Sequence, residues 1–143
     1  MNPYNAYAQA NIMVDEQDKG KVLLKVLTAL SEKIELVKAL IRQKKYERKY
    51  EELSKIVAIL EILDASLDMS YGEFPEKLSG FYAHLIKRLR EVHATLDIET
   101  LDHCKRMISA LAEGFTEAYH LHKKNRSEQS GKTIKLSTVD SKI

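Results

Sequence analysis

The chain has 143 residues, typical of one domain and long enough to bury a hydrophobic core without disulfides. Five glycines, two prolines and 31% charged residues favour a helical chain, and no apolar run approaches the length of a membrane span. The single cysteine excludes an internal disulfide and the first 20 residues lack the apolar stretch of a secretory signal, so the composition indicates a cytoplasmic protein.

The net charge of +2 is distributed unevenly along the chain. From Lys123 onward there are six basic and two acidic residues, so this end carries +4 and the remainder, with 17 basic and 19 acidic residues, carries −2. A negatively charged remainder does not form a nucleic-acid-binding surface. This C-terminal basic tail suits contact with phosphate or with an acidic partner, and it also suits a role as a solubilising tail. The sequence favours the second, a disordered tail over residues 125–143.

A short amphipathic arm occupies residues 1–20. Pro3 suits the first turn of a short helix, on which Tyr4 and Tyr7 share a face, and Ile12 follows in an extended piece. Such an arm must dock on something to be ordered. The two tyrosines fit simple packing anchors and a docking motif equally well.

Four long helices follow the arm, each with apolar residues at steps of three and four along one face. Short connections between helices of this length favour an antiparallel arrangement. The predicted class is therefore all-α, an antiparallel up-down four-helix bundle over residues 21–124 with an additional short N-terminal helix. Asp18 is a plausible N-cap of the first long helix, and Asp97 is an N-cap candidate for the fourth. The predicted long helices run from about Lys21 to Lys44, Glu47 to Asp68, Pro75 to Thr95 and Ile98 to Lys123.

The first two long helices carry more apolar residues than one buried seam requires. The segment from Leu53 to Leu67 is apolar over most of its circumference, and Ile59 and Ile62 lie outside its main face. The first helix has a second apolar stripe beside its seam. Surplus apolar surface of this kind often marks the binding of a partner.

Catalytic and metal-binding patterns are incomplete. Glu117 and His120 have the Glu-x-x-His spacing of di-metal bundles, but such a site needs a second pair and further inward carboxylates. Cys104 lies on an apolar face, as small core residues do. The basic segment 42–50 is typical of a solvated hinge. The sequence therefore predicts no enzyme activity, no cofactor and no metal.

Several motifs follow one another along the chain. They are Asn2-Pro3-Tyr4-x-Ala6-Tyr7, Ile59-Leu60 through Ser66-Leu67-Asp68, Gly72-Glu73 with Leu78, Phe81-Tyr82 with Lys87-Arg88-Leu89, and the spaced residues Asp97, Leu101, Cys104 and Phe115. Together these motifs resemble the flagellin export chaperone family FliS, over about residues 2–119. Each motif is weak alone, whereas their order and spacing are fairly specific. Phe115 stands where the family usually has Trp, and His93 stands where Asn is common.

The resemblance implies a cytoplasmic chaperone without enzymatic activity. Such a chaperone binds the disordered C-terminal segment of flagellin, prevents premature polymerisation and assists export, with the export apparatus as a further candidate partner. Neither nucleic-acid binding nor membrane insertion is implied. The family's N-terminal segment is thought to cover part of the binding surface when no client is bound, and here that lid would consist of Tyr4, Tyr7 and Ile12.

The surplus apolar residues agree with this implication, since an amphipathic client helix in an apolar groove is a known recognition mode. The same residues also suit an ordinary four-helix core. A helical adaptor or regulator of another folded partner is the alternative function, and a metal-dependent enzyme is a third. The predicted client-binding residues are Val26, Leu36, Leu40, Ile59 and Ile62.

Overall fold

The computed structural model describes the backbone of residues 16–142 and the side chains of residues 19–121 and of Lys124. No β-strand occurs in the described backbone, and the predicted all-α helical bundle is confirmed. The predicted N-terminal helix lies outside the described residues. The elements are α1 (Glu16–Arg42), α2 (Tyr46–Ala65), a 3-10 helix (Met69–Tyr71), α3 (Glu73–Thr95) and α4 (Ile98–Lys142).

The four α-helices form a ring in which each contacts its two neighbours, in the order α1, α2, α3, α4 and back to α1. Among the described residues the backbones of the diagonal pairs, α1 with α3 and α2 with α4, do not approach each other closely. Opposed pairs of side chains show that α1 and α4 are antiparallel, because Lys38 pairs with Asp102 at 2.6 Å whereas the earlier Glu35 pairs with the later Lys105 at 2.9 Å.

One continuous apolar core runs along the bundle axis. In α1 the buried residues recur at steps of four and three, as the sequence predicts for a packed seam. Tyr82 of α3 and Phe115 of α4 are the largest side chains buried there. The seam of α1 consists of Leu23, Leu27, Leu30, Ile34 and Val37.

Two helix ends differ from their predicted positions by more than three residues. The first helix begins at Glu16, so Asp18, a plausible cap in the sequence, lies inside α1. The backbone of α4 is helical to Lys142, well beyond the predicted end at Lys123. No proline follows Ile98, so the helical hydrogen bonds continue after the apolar face has ended. The limits 1–20, 21–124 and 125–143 stay predictions.

The turn between α1 and α2 closes with a Schellman motif. The Lys45 N–H donates to the Leu40 carbonyl at 2.9 Å, and the Lys44 N–H donates to the Ile41 carbonyl at 3.0 Å. This motif requires a left-handed residue at its centre, and Lys44 supplies it with φ of 58°. A side chain there costs about 1 kcal/mol relative to glycine.

Candidate functional site

The ion pair between Lys33 of α1 and Glu52 of α2 sets the register of this antiparallel helix pair. Their Nζ and Oε2 atoms are 3.1 Å apart, and the pair lies on the outer side of the α1–α2 contact. Lys38 and Glu35 of α1 reach α4 instead. The ion pairs therefore identify two sides of α1. The side that carries Lys33 faces α2, and the side that carries Glu35 and Lys38 faces α4.

Val26 and Ile59 lie at one level of this outer side. Val26 lies seven residues before Lys33 in α1, and Ile59 lies seven residues after Glu52 in α2, so both lie further from the α1–α2 turn than the ion pair. Seven residues are two helical turns, so both side chains stand on the same side of their helices as the pair, ~10 Å further along. Both are partly buried and pack against the core. They form the floor of a shallow apolar strip.

Val22 and Ile62 lie one further turn along their helices, beyond Val26 and Ile59. They are among the most exposed large apolar side chains described, at 54% and 64%. Water-exposed aliphatic groups adjoining core-packed ones favour a binding surface. We call Val22, Val26, Ile59 and Ile62 the α1–α2 surface. Val22 was not among the predicted client residues, although it belongs to the second apolar stripe of α1.

The remaining predicted client residues lie on the other side of the ion pair. Leu36 is partly buried, and Leu40 is buried with only 1% exposed. Of the five predicted residues, helical register therefore places Val26 and Ile59 at one level, and Ile62 lies one turn beyond Ile59. The predicted lid residues are Tyr4, Tyr7 and Ile12, which lie outside the described residues.

A polar cluster at the α3–α4 connection has a structural explanation. It lines a cavity of about 310 Å³ that includes Arg88, Asp97 and Thr100. Asp97 accepts hydrogen bonds from the Glu99 N–H at 3.0 Å and from the Thr100 hydroxyl at 2.9 Å. Asp97 is thus the N-cap of α4 that its position in the sequence predicts.

The comparison with known families decides the identity of the bundle. The family model described as flagellar protein FliS matches residues 1–122. The chain belongs to the FliS family. No curated protein matches the chain significantly. FliS membership implies a flagellar export chaperone for flagellin, and FliS is a family of chaperones and not of enzymes.

Cys104 of this FliS protein is buried without exposed surface in the core. Burial raises the pKa of its thiol to about 11, so the sulfur is protonated at neutral pH. This position agrees with the predicted role of a small core residue. Glu117 and His120 are exposed, and the described residues contain no cluster of His, Cys, Asp and Glu suited to a metal ion. None of the described helices is long and apolar enough to cross a membrane.

His93 forms a contact between α2 and α3. Its ring lies 4.8 Å from the Tyr50 ring, and the Lys49 ammonium donates to its carbonyl at 3.5 Å. Its Nδ1 atom is buried and accepts no hydrogen bond from the described residues. Burial first, and then the charge of Lys49, lower the pKa of the imidazole from its ordinary value of 6.5.

We expect His93 to make the bundle less stable in mild acid. Because its pKa is lower in the folded state, the unfolded chain binds the proton first as the pH falls through about 6.5. The contribution is therefore present above that pH and is lost between it and the lower folded pKa. Thermal unfolding of the protein and of His93→Asn from pH 8 to pH 5 checks this. A midpoint that falls equally in both proteins would contradict it.

Proposed function

We propose that this FliS protein binds the disordered C-terminal segment of flagellin in the cytosol, prevents its premature polymerisation and passes it to the export apparatus. The observation that carries the proposal is the α1–α2 surface, where exposed Val22 and Ile62 adjoin the core-packed Val26 and Ile59. An amphipathic segment that folds against this strip buries its own apolar face. The bound segment is then withheld from contacts between flagellin molecules.

The strength of this contact follows from two opposed terms. Full burial of an aliphatic side chain contributes roughly 1.5–3 kcal/mol, and the client contributes similar groups of its own. Ordering a disordered client costs about 1–2 kcal/mol per residue in backbone entropy. The terms are comparable, so the complex is expected to be specific and reversible. Reversibility suits a chaperone that must release its client for export.

Leu36 and Leu40 extend the proposed client surface toward the α1–α2 turn. Leu36 is partly exposed and is available to a client that crosses the Lys33–Glu52 ion pair. Leu40 is buried, so a client reaches it only when neighbouring groups move aside. We therefore assign the first contact to Ile62 and Val26 and a later contact to Leu40.

Deletion of residues 1–13 is expected to leave the bundle folded and to tighten client binding. In the proposal, Tyr4, Tyr7 and Ile12 pack on the client surface as a lid and are displaced when the client binds. A segment this short does not hold a helix in water by itself, so its docking is marginal. A lid that competes with the client lowers the apparent affinity by the fraction of time that the surface is covered.

Calorimetric titration of a flagellin C-terminal peptide into the full-length and truncated proteins tests both the client and the lid. Tighter binding by the truncated protein supports the lid, whereas absence of binding by either protein would remove the proposed function. Amide exchange over Val22–Leu40 and Leu53–Leu67 is the control for the lid. Equal affinity together with equal protection in the two proteins would show that the arm does not cover the surface.

A further inference from the structure

The α1–α2 turn concentrates exposed positive charge at one end of the bundle. Four cations there, which we call the basic end, are Arg42, Lys44, Lys45 and Arg48, and all are exposed. None of them forms an ion pair within the described residues. The last three line a surface depression of about 540 Å³ together with Tyr46, whose side chain is 45% exposed.

Three of these cations occupy positions where a long basic side chain is unfavourable for the stability of the adjoining helix. Lys44 occupies the left-handed position of the Schellman motif, where glycine is least strained. Lys45 is the N-cap residue of α2 and makes no capping hydrogen bond through its side chain. Arg48 lies in the first turn of α2, where the helix dipole disfavours positive charge.

Two other helix starts in the described residues follow the capping rule. Asp68 accepts a hydrogen bond from the Ser70 N–H at the start of the 3-10 helix, and Asp97 accepts one from the Glu99 N–H at the start of α4. Leu96 at the end of α3 is also a left-handed residue other than glycine, with φ of 54°, but it carries no charge. The basic end differs because three departures, each at a cation, lie between Lys44 and Arg48. Local rules that fail together at one place in a chain point to a functional requirement there.

We propose that the basic end is a docking surface for an acidic segment of a partner protein. Four unpaired cations supply charge complementarity, and the exposed ring of Tyr46 supplies an apolar contact beside them. Glu47 and Glu51 line the same depression. These carboxylates interrupt the positive surface, which favours a short acidic protein segment over the continuous phosphates of a nucleic acid or an anionic membrane.

The docking surface is separate from the α1–α2 surface. Arg42 and Val26 lie roughly 24 Å apart along α1. An acidic partner and a client in its first contact, at Val26 and Ile62, therefore bind at the same time, whereas the later contact at Leu40 lies beside the basic end. The proposal does not depend on flagellin being the client, so the two are tested independently.

Fluorescence anisotropy with a labelled glutamate-rich peptide tests the proposal on the full-length protein. The double variant Lys45→Glu with Arg48→Glu is expected to bind the peptide about tenfold more weakly than the natural chain, because two attractive charges become repulsive. The matched control is Lys87→Glu with Arg106→Glu, which reverses two exposed cations on α3 and α4. Equal losses in both double variants would overturn the proposal.

Lys44→Gly separates a binding role from a structural one. It relieves the left-handed side chain, so the thermal midpoint is expected to rise by about 4 °C while peptide binding weakens roughly threefold. A variant that is more stable and binds as tightly as the natural chain would overturn the proposal. Two other ligands are tested in the same way, a single-stranded oligothymidylate and phosphatidylserine vesicles. The proposal would also be overturned if either ligand bound more tightly than the peptide and lost binding in the double variant Lys45→Glu with Arg48→Glu.

Discussion

Ile62→Asp is expected to weaken binding of a flagellin C-terminal peptide at least about tenfold while the bundle stays folded. The Ile62 side chain is 64% exposed in the free protein, so a carboxylate there remains hydrated and costs little folding stability. In the complex the same carboxylate would lie against the apolar face of the client without a partner. Calorimetric titration measures the loss of affinity, and circular dichroism checks that the helices persist.

Leu121→Asp is the matched control for Ile62→Asp. Leu121 is also a large aliphatic residue with 59% exposure, and it lies on α4, which stands diagonally opposite α2 in the ring. Both variants place a carboxylate on an exposed apolar position. Equal losses of affinity would mean that the client does not bind selectively to the α1–α2 surface.

Ile59→Asp is a less selective probe of the same surface. Ile59 is partly buried and packs against the core, so a carboxylate there lowers folding stability as well as client affinity. Comparison of the two variants is informative. Loss of affinity in Ile62→Asp without loss of stability identifies the exposed edge of the strip as the contact.

Phe115→Ala is expected to lower the free energy of unfolding by about 3–5 kcal/mol. Phe115 is 2% exposed and lies in the core that all four helices share. Alanine removes the ring, leaves a cavity between closely packed helices and forfeits the ring's burial. That amount is a large fraction of the stability of a typical domain, so partial unfolding at physiological temperature is expected.

Urea denaturation of Phe115→Ala measures this loss, with Leu121→Ala on the same helix as the control. Leu121 is exposed, so its truncation should change the free energy of unfolding by no more than about 0.5 kcal/mol. A cost for Phe115→Ala below 1 kcal/mol would show that the interior of the bundle refills the cavity.

The outline of the bundle could be read from the sequence because its signals are local. The steps of four and three from Leu23 to Val37 identify the buried face of α1 without reference to any other helix. Asp97 predicts the start of α4 because an N-cap depends only on the residues that follow it. The family motifs likewise lie in residues whose order and spacing can be read directly.

The helix ends were predicted less well, because the local apolar pattern shows where packing ends and not where the helical backbone ends. A helix continues until a breaker or a better local alternative stops it, and residues 124–142 contain neither an apolar seam nor a proline. The sequence therefore indicated where packing ends, near Lys123, while the helical backbone of α4 extends to Lys142.

What the sequence determined by itself is thus the set of four amphipathic helices, the N-cap of α4 and the family to which the chain belongs. Only the tertiary structure decided which surplus apolar residues are covered. Leu40 and Ile62 both lie outside the main seams, yet one is 1% and the other 64% exposed. Exposure depends on which helix stands beside which, and Lys33 meets α2 while Lys38 meets α4. Hydrophobic periodicity carries no information about that choice, because the burial of a side chain depends on neighbours far away in the chain.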